Sequence, residues 1–132
     1  MNGDLTAIDA IGEVRVVAVV TIDDARDAPT LVSALVDGGL PVAEITLRTA
    51  AGLDAIRRVS SEVPDALVGA GSVTSAAAAI DAVEAGAKFL VSPGLDDGVV
   101  QTARELGVPA IPGIATATEL MRAVQLGVDV LK

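Results

Sequence analysis

The chain alternates between short apolar runs and longer amphipathic stretches. A first apolar run covers residues 14–20, and later runs end near residues 47, 69, 91, 111 and 131, a little over 20 residues apart. The runs lack strict polar alternation, which is typical of strands that are buried on both faces. Strand and helix alternating six times predicts an α/β fold with a parallel sheet and right-handed crossovers.

The amphipathic stretches predict helices over residues 23–36, 75–83, 95–106 and 116–126. Three of them follow residues that cap helix N-termini, and two stop at a glycine of the kind that ends helices in a left-handed conformation. These caps and glycines are Thr74 or Ser75, Asp96, Thr116, Gly107 and Gly127.

Two architectures share this order of elements, an open doubly wound sheet and a barrel. A doubly wound sheet places a glycine-rich phosphate turn after its first strand, but the segment VVTIDDA there holds no glycine. The even spacing therefore favours a (β/α)8 TIM barrel. Because a complete barrel needs at least ~200 residues, we expect residues 1–132 to be a single barrel domain that supplies about the first six βα units and lacks its C-terminal units.

Composition narrows the available chemistry. The chain has no cysteine and no histidine, which excludes a disulfide framework, a thiolate nucleophile, an imidazole triad and a His/Cys metal site. A net charge of -9 opposes nucleic acid, and Phe89 is the one aromatic residue. No apolar run suits a membrane span, and the segment MNGDLTAIDAIGEVR lacks the pattern of a leader. We expect a cytoplasmic protein with no membrane or nucleic-acid partner.

Polar side chains alternate along the second run, AEITLR. Glu44, Thr46 and Arg48 are expected on one face, and Ile45 and Leu47 on the other. In a barrel the apolar pair meets the outer helices, so the polar set faces the interior near the carboxyl end of the strand, where such barrels hold their active sites. One interpretation is that the carboxylate of Glu44 is a catalytic base and the guanidinium of Arg48 binds an anion. The alternative is an ion pair between Glu44 and Arg48 that only fills the barrel.

Other candidate residues lie at the ends of neighbouring runs. The segment GAGSVT ends the third run, where its glycines would let the backbone approach a ligand and Ser72 could donate a hydrogen bond. Pro93, in the turn after the fourth run, would line the opening of the same pocket. The alternative is that the proline only makes a rigid turn between two elements. Of the two lysines, Lys88 opens the fourth run and Lys132 ends the sixth. An amine held in an apolar barrel is available as a Schiff-base nucleophile, whereas a polar terminal residue is the plainer interpretation.

The phrases VAEITLRT, LVGAGSVT, AGAKFLVSPG and PAIPGIATATEL, followed by LGVDVLK, resemble the class I 2-keto-3-deoxy-6-phosphogluconate (KDPG) aldolase and 4-hydroxy-2-oxoglutarate aldolase family. The resemblance runs from about Val14 to the last residue. It implies a homotrimer of (β/α)8 barrels, without metal or cofactor. The implied reaction, which belongs to the Entner-Doudoroff pathway, cleaves KDPG into pyruvate and glyceraldehyde 3-phosphate. A 4-hydroxy-2-oxoglutarate substrate would instead yield pyruvate and glyoxylate.

The resemblance also implies roles for single residues. It makes Lys132 the Schiff-base lysine and Glu44 the general acid and base, with Arg48 holding an anionic end of the 2-keto acid. Ser72, where the family usually has threonine, and Pro93 would contact substrate, and Thr46 is expected beside them. Two other functions stay open: a non-catalytic barrel fragment or assembly piece, and a sugar-phosphate isomerase or synthase on the same barrel.

Overall fold

The computed structural model describes residues 6–132 and consists of a parallel sheet with helices between its strands. Residues 1–5 lie outside the described residues. They are part of the predicted domain and of the N-terminal segment in which no leader pattern was found. The strands are β1 (Ala18–Val20), β2 (Val42–Thr46), β3 (Leu67–Gly71), β4 (Leu90–Ser92) and β5 (Ala110–Pro112). The helices are α1 (Ala7–Val14), α2 (Ala28–Asp37), α3 (Gly52–Glu62), α4 (Ala76–Glu84), α5 (Asp97–Glu105) and α6 (Ala117–Gln125).

The five strands lie side by side in chain order, and every neighbouring pair is parallel. This arrangement confirms the predicted α/β class and makes the chain a partial (β/α) barrel. Residues 126–132, which hold the predicted sixth run, do not form a regular strand. The backbone amide of Lys132 donates to the Pro112 carbonyl at 3.0 Å, and the Ile114 amide donates to the Lys132 carbonyl at 3.1 Å. These two bonds join the end of the predicted sixth run to the last residue of β5 and to the turn that follows it.

The prediction of a first strand over residues 14–20 was wrong at its start. Val14 ends α1, and pairing with β2 begins only at Ala18. The helix forms because Thr6 and Asp9 make a capping box, in which each side chain accepts a hydrogen bond from the other residue's backbone amide. Its apolar residues recur at helical spacing and pack on one cluster inside the sheet. Val14, the first residue of the apolar run, therefore belongs to α1 and not to a strand.

The remaining helix signals agree with the structure, apart from one boundary. Ser75, rather than Thr74, caps α4, and Asp96 and Thr116 cap α5 and α6. Gly107 and Gly127 have φ values of 73° and 70°, which glycine adopts without strain. The helix predicted from residue 23 instead begins at Ala28, after a short 3₁₀ turn at Ala25–Asp27. None of the helices within residues 6–132 has the length and hydrophobicity that a membrane-spanning helix needs.

The sheet separates two apolar regions. Its outer face packs under the helices through side chains such as Ile45, Val68 and Leu90. Its inner face, which we call the lumen, holds a smaller cluster of Val42, Phe89, Val91 and Ile111. Helix α1 covers this cluster with Ala7, Ile8, Ile11 and Val14. The part of the lumen beside Val42, where β2 begins, is therefore apolar and covered by α1.

Candidate active site

Strand β2 carries its polar residues into the lumen. Glu44 is 6% exposed and Thr46 is fully buried, while Ile45 between them belongs to the outer core. The predicted alternation is therefore present at these positions. Arg48 departs from the prediction: it lies in the turn after β2, where alternation no longer applies, and its side chain is exposed.

The Glu44 carboxylate has neither a hydrogen-bond partner nor an ion-pair partner within the described chain. The Glu44–Arg48 ion pair, our alternative interpretation, is thus absent. No fully buried side-chain oxygen in residues 6–132 lacks a partner, so the Glu44 oxygens keep some exposure to solvent. Burial raises the pKa of the Glu44 carboxyl, and the positive charges of Lys132 and Arg48 lower it by less.

Arg48 and Ser72 join the ends of β2 and β3. The Arg48 guanidinium donates to the Ser72 hydroxyl oxygen, with 3.0 Å between Nε and Oγ. Ser72 has a φ of 58°, a left-handed conformation that is uncommon for residues other than glycine. An exposed guanidinium held by a hydroxyl at a strand end suits a carboxylate or phosphate ligand.

Thr46 meets a hydroxyl partner that the sequence did not single out. The Oγ1 atoms of Thr46 and Thr21 lie 3.0 Å apart, which joins the carboxyl ends of β1 and β2. Since Val20 pairs with Ile45, Thr21 is level with Thr46 and faces the same side. The parallel register identifies Thr21: the residue after Val20 in β1 lies beside the residue after Ile45 in β2, which is Thr46.

Lys132 lies beside the carboxyl end of β5, through its two backbone hydrogen bonds with Pro112 and Ile114. Its side chain is exposed among the described residues. The reason is that the five-stranded sheet is open beyond β5. Lys88 is also exposed, but it lies among the loops that lead into the strands, near Asp65 and Pro109.

Pro93 is exposed in the turn after β4 and supports the next strand end through its backbone. A Cβ atom on Gly113 would lie 2.8 Å from the Pro93 carbonyl carbon and nearer still to its oxygen. The two turns therefore pack backbone against backbone, which requires glycine at position 113. The structure thus gives Pro93 a structural contact with the turn after β5.

The glycines of GAGSVT were expected to let the backbone approach a ligand. In the structure, Gly69 and Gly71 make room for side chains of the protein itself. The space above Gly69 is filled by the Phe89 ring, and the space above Gly71 by the Glu44 side chain. Sequence reasoning missed this packing, since it depends on neighbouring strands. Phe89, the largest fully buried side chain, is the residue it overlooked.

The site thus combines a buried carboxylate, a lysine, a guanidinium held by a serine hydroxyl and a pair of threonine hydroxyls near the carboxyl ends of β1, β2, β3 and β5. A carboxylate with a raised pKa can accept and return a proton, and an amine can attack a ketone. Within residues 6–132 no three acidic side chains lie close enough together to hold a metal ion.

Comparison with known proteins gives one family. The family model described as "Aldolase: KDPG and KHG aldolase" matches residues 8–132. The chain is 44% identical over 128 residues to a 2-dehydro-3-deoxy-phosphogluconate aldolase of Treponema pallidum, an alignment that covers 97% of this chain and 61% of that protein. The chain therefore spans about three fifths of the length of the curated relatives it matches most fully.

Two solved structures are similar in fold as well as in sequence. The 2-keto-3-deoxy-6-phosphogluconate aldolase of Zymomonas mobilis, crystallised with 3-phosphoglycerate, matches with a TM-score of 0.86 and 41% identity, over 92% of this chain and 58% of that one. The KDPG aldolase of Legionella pneumophila matches with a TM-score of 0.86 and 34% identity, over 92% and 59% of the two chains. That enzyme was captured with pyruvate as a covalent carbinolamine intermediate.

Proposed function

Because the chain belongs to the KDPG and KHG aldolase family, we propose that its protein is a class I aldolase that cleaves 2-keto-3-deoxy-6-phosphogluconate. The products are pyruvate and glyceraldehyde 3-phosphate. 4-Hydroxy-2-oxoglutarate, cleaved to pyruvate and glyoxylate, is the second substrate proposed. The observation that carries the proposal is Glu44: a buried, unpaired carboxylate in the lumen, within reach of the charges of Lys132 and Arg48.

In the proposed mechanism the Lys132 amine attacks the C2 ketone of the substrate. Loss of water from the carbinolamine leaves a protonated imine, which can accept an electron pair. Glu44 removes the proton of the C4 hydroxyl, the C3–C4 bond breaks, and its electrons pass into the imine to give an enamine. The aldehyde then leaves. Protonation of the enamine at C3 and addition of water release pyruvate and restore the lysine.

Arg48 is the proposed anion clamp of this reaction. Its hydrogen bond to Ser72 fixes the guanidinium between the ends of β2 and β3, and its exposed face is open to a carboxylate. Thr46 and its partner Thr21 supply further hydroxyl contacts at the same end of the sheet. Pro93 is proposed to bound the pocket beside β4.

Trapping with borohydride tests the proposal. Sodium borohydride added with pyruvate reduces the imine and should leave a stable three-carbon adduct on Lys132, located by peptide mass spectrometry. The matched variants are Lys132→Arg, which should take no adduct, and Lys88→Arg, which should react like the parent protein. An adduct on Lys88, or none on either lysine, would refute a Schiff-base role for Lys132.

Assembly and location are also proposals. A homotrimer in the cytoplasm is what the family resemblance implies. Sedimentation equilibrium on the full chain should return three times the protomer mass. A stable monomer with full aldolase activity would contradict the trimer while leaving the proposed chemistry intact.

A further inference from the structure

Gly71 leaves open the space that the Glu44 side chain occupies. A Cβ atom on Gly71 would lie 2.7 Å from both Cγ and Cδ of Glu44, and nearer still to Oε1. These distances are far below the ~3.5 Å of ordinary carbon–carbon contact. The three nearest atoms all belong to one flexible side chain, and Gly71 has no positive φ. Alanine at position 71 therefore fits the strand but forces Glu44 to move.

Gly69 gives the same room to Phe89, two residues earlier on the same face of β3. A Cβ atom on Gly69 would lie 2.5 Å from Cδ2 of the Phe89 ring and nearer still to Cε2 and Cζ. Glu44 pairs in register with Gly69, but its side chain reaches forward to Gly71. The Phe89 ring therefore fills the lumen over Gly69, one layer before the Glu44 carboxylate, which lies over Gly71.

We propose that Gly71 and Phe89 are positioning residues for Glu44: the bare strand at Gly71 admits the carboxylate, and the Phe89 ring forms an apolar floor under it. Neither residue needs to touch the substrate. The inference rests on the proposed function only where it treats Glu44 as the base of the reaction. The position of the carboxylate rests on the packing alone.

The arrangement has a chemical consequence for proton transfer. An apolar ring on one side of a carboxylate excludes water there and disfavours the charged form. Burial is also the main cause that raises the pKa of Glu44. A base whose pKa lies nearer the working pH accepts a hydroxyl proton more effectively. Gly71 and Phe89 would thus tune the base without taking part in bond making.

The test compares Gly71→Ala and Phe89→Leu with the parent protein, as full chains. The pKa of Glu44 is read from ¹³C NMR titration of its side-chain carboxyl, assigned with Glu44→Gln. We expect the pKa to fall toward the ordinary glutamate range in both variants, because each brings water to the carboxylate. Gly71→Ala should also lower kcat for cleavage at least ~10-fold while Lys132 still traps pyruvate. Gly12→Ala is the control, since a Cβ atom there has no neighbour within 4 Å.

An unchanged Glu44 titration in both variants would overturn the proposal. A Gly71→Ala chain that loses its far-ultraviolet circular dichroism would contradict the claim that only the Glu44 side chain must move, and Phe89→Leu then tests the floor separately. The titration needs no substrate. A parent protein that fails to trap pyruvate would therefore refute the proposed function and leave the inference about Glu44 standing on its own measurement.

Discussion

Gly69 and Phe89 should be strongly coupled in their effect on stability. In Gly69→Ala, the ring would have to retreat by about 1 Å to reach the ~3.5 Å of ordinary contact. Phe89 is fully buried against the lumen cluster, so the ring has little room to move. Overpacking of this kind costs about 1–3 kcal/mol, and we expect the upper end, about 3 kcal/mol.

Phe89→Leu alone should cost about 1–2 kcal/mol, less than the ~3–5 kcal/mol of truncation to alanine, because leucine keeps most of the apolar volume. In the double variant the new methyl group occupies space that the ring has vacated. The two changes together should therefore cost about 2 kcal/mol rather than their sum of about 4–5 kcal/mol. That difference, a coupling of about 2–3 kcal/mol, lies within the range seen for residues in contact.

Urea unfolding of the full chain, followed by circular dichroism, measures all four corners of this cycle. Gly12→Ala serves as the control for adding a methyl group without a clash. Additive costs, within about 0.5 kcal/mol, would show that Gly69 does not make room for Phe89 and would refute the reasoning from the packing.

Three further predictions concern the site and its supports. Burial raises the pKa of Glu44 in the folded state, so the parent protein should lose stability as the pH rises from the ordinary glutamate value of 4.5 through that raised pKa. Glu44→Gln should not show this loss. The same change of melting temperature with pH in both proteins would contradict the prediction. Ser72→Gly should be more stable than Ser72→Ala by about 1 kcal/mol, because glycine adopts the left-handed φ at this position without strain and alanine does not. Both variants should raise KM, because both lose the hydrogen bond to Arg48. Thr116→Ala should cost about 1 kcal/mol in urea unfolding through loss of the α6 cap, with Thr118→Ala as a comparison within the helix.

Local patterns predicted the parts of the fold that depend on near neighbours in sequence. The alternation in AEITLR placed Glu44 and Thr46 in the lumen and Ile45 outside it, because side chains on a strand must alternate. The caps at Asp96 and Thr116 were readable because a capping side chain bonds to the backbone three residues later. The resemblance to a known family then brought the strand ends together as one site.

Features that depend on contacts between strands could not be predicted in this way. The use of Gly69 is set by Phe89, just before β4, and that of Gly71 by Glu44 of β2, and nothing within GAGSVT identifies either side chain. Arg48 lies two residues beyond the end of β2, in a turn where the strand period no longer applies. Helix α1 was hidden because its apolar residues run directly into those of β1.

Helix α1 also has a consequence for the order in which the chain can fold. It is made near the start of the chain, but the cluster that it covers includes Phe89, Val91 and Ile111, which are synthesised about 80–100 residues later. Contacts so distant in sequence form slowly, since a long loop must close before they contribute. Docking of α1 should therefore follow assembly of the strands, and α1, although synthesised before α2 to α6, would be among the last elements to reach its final place.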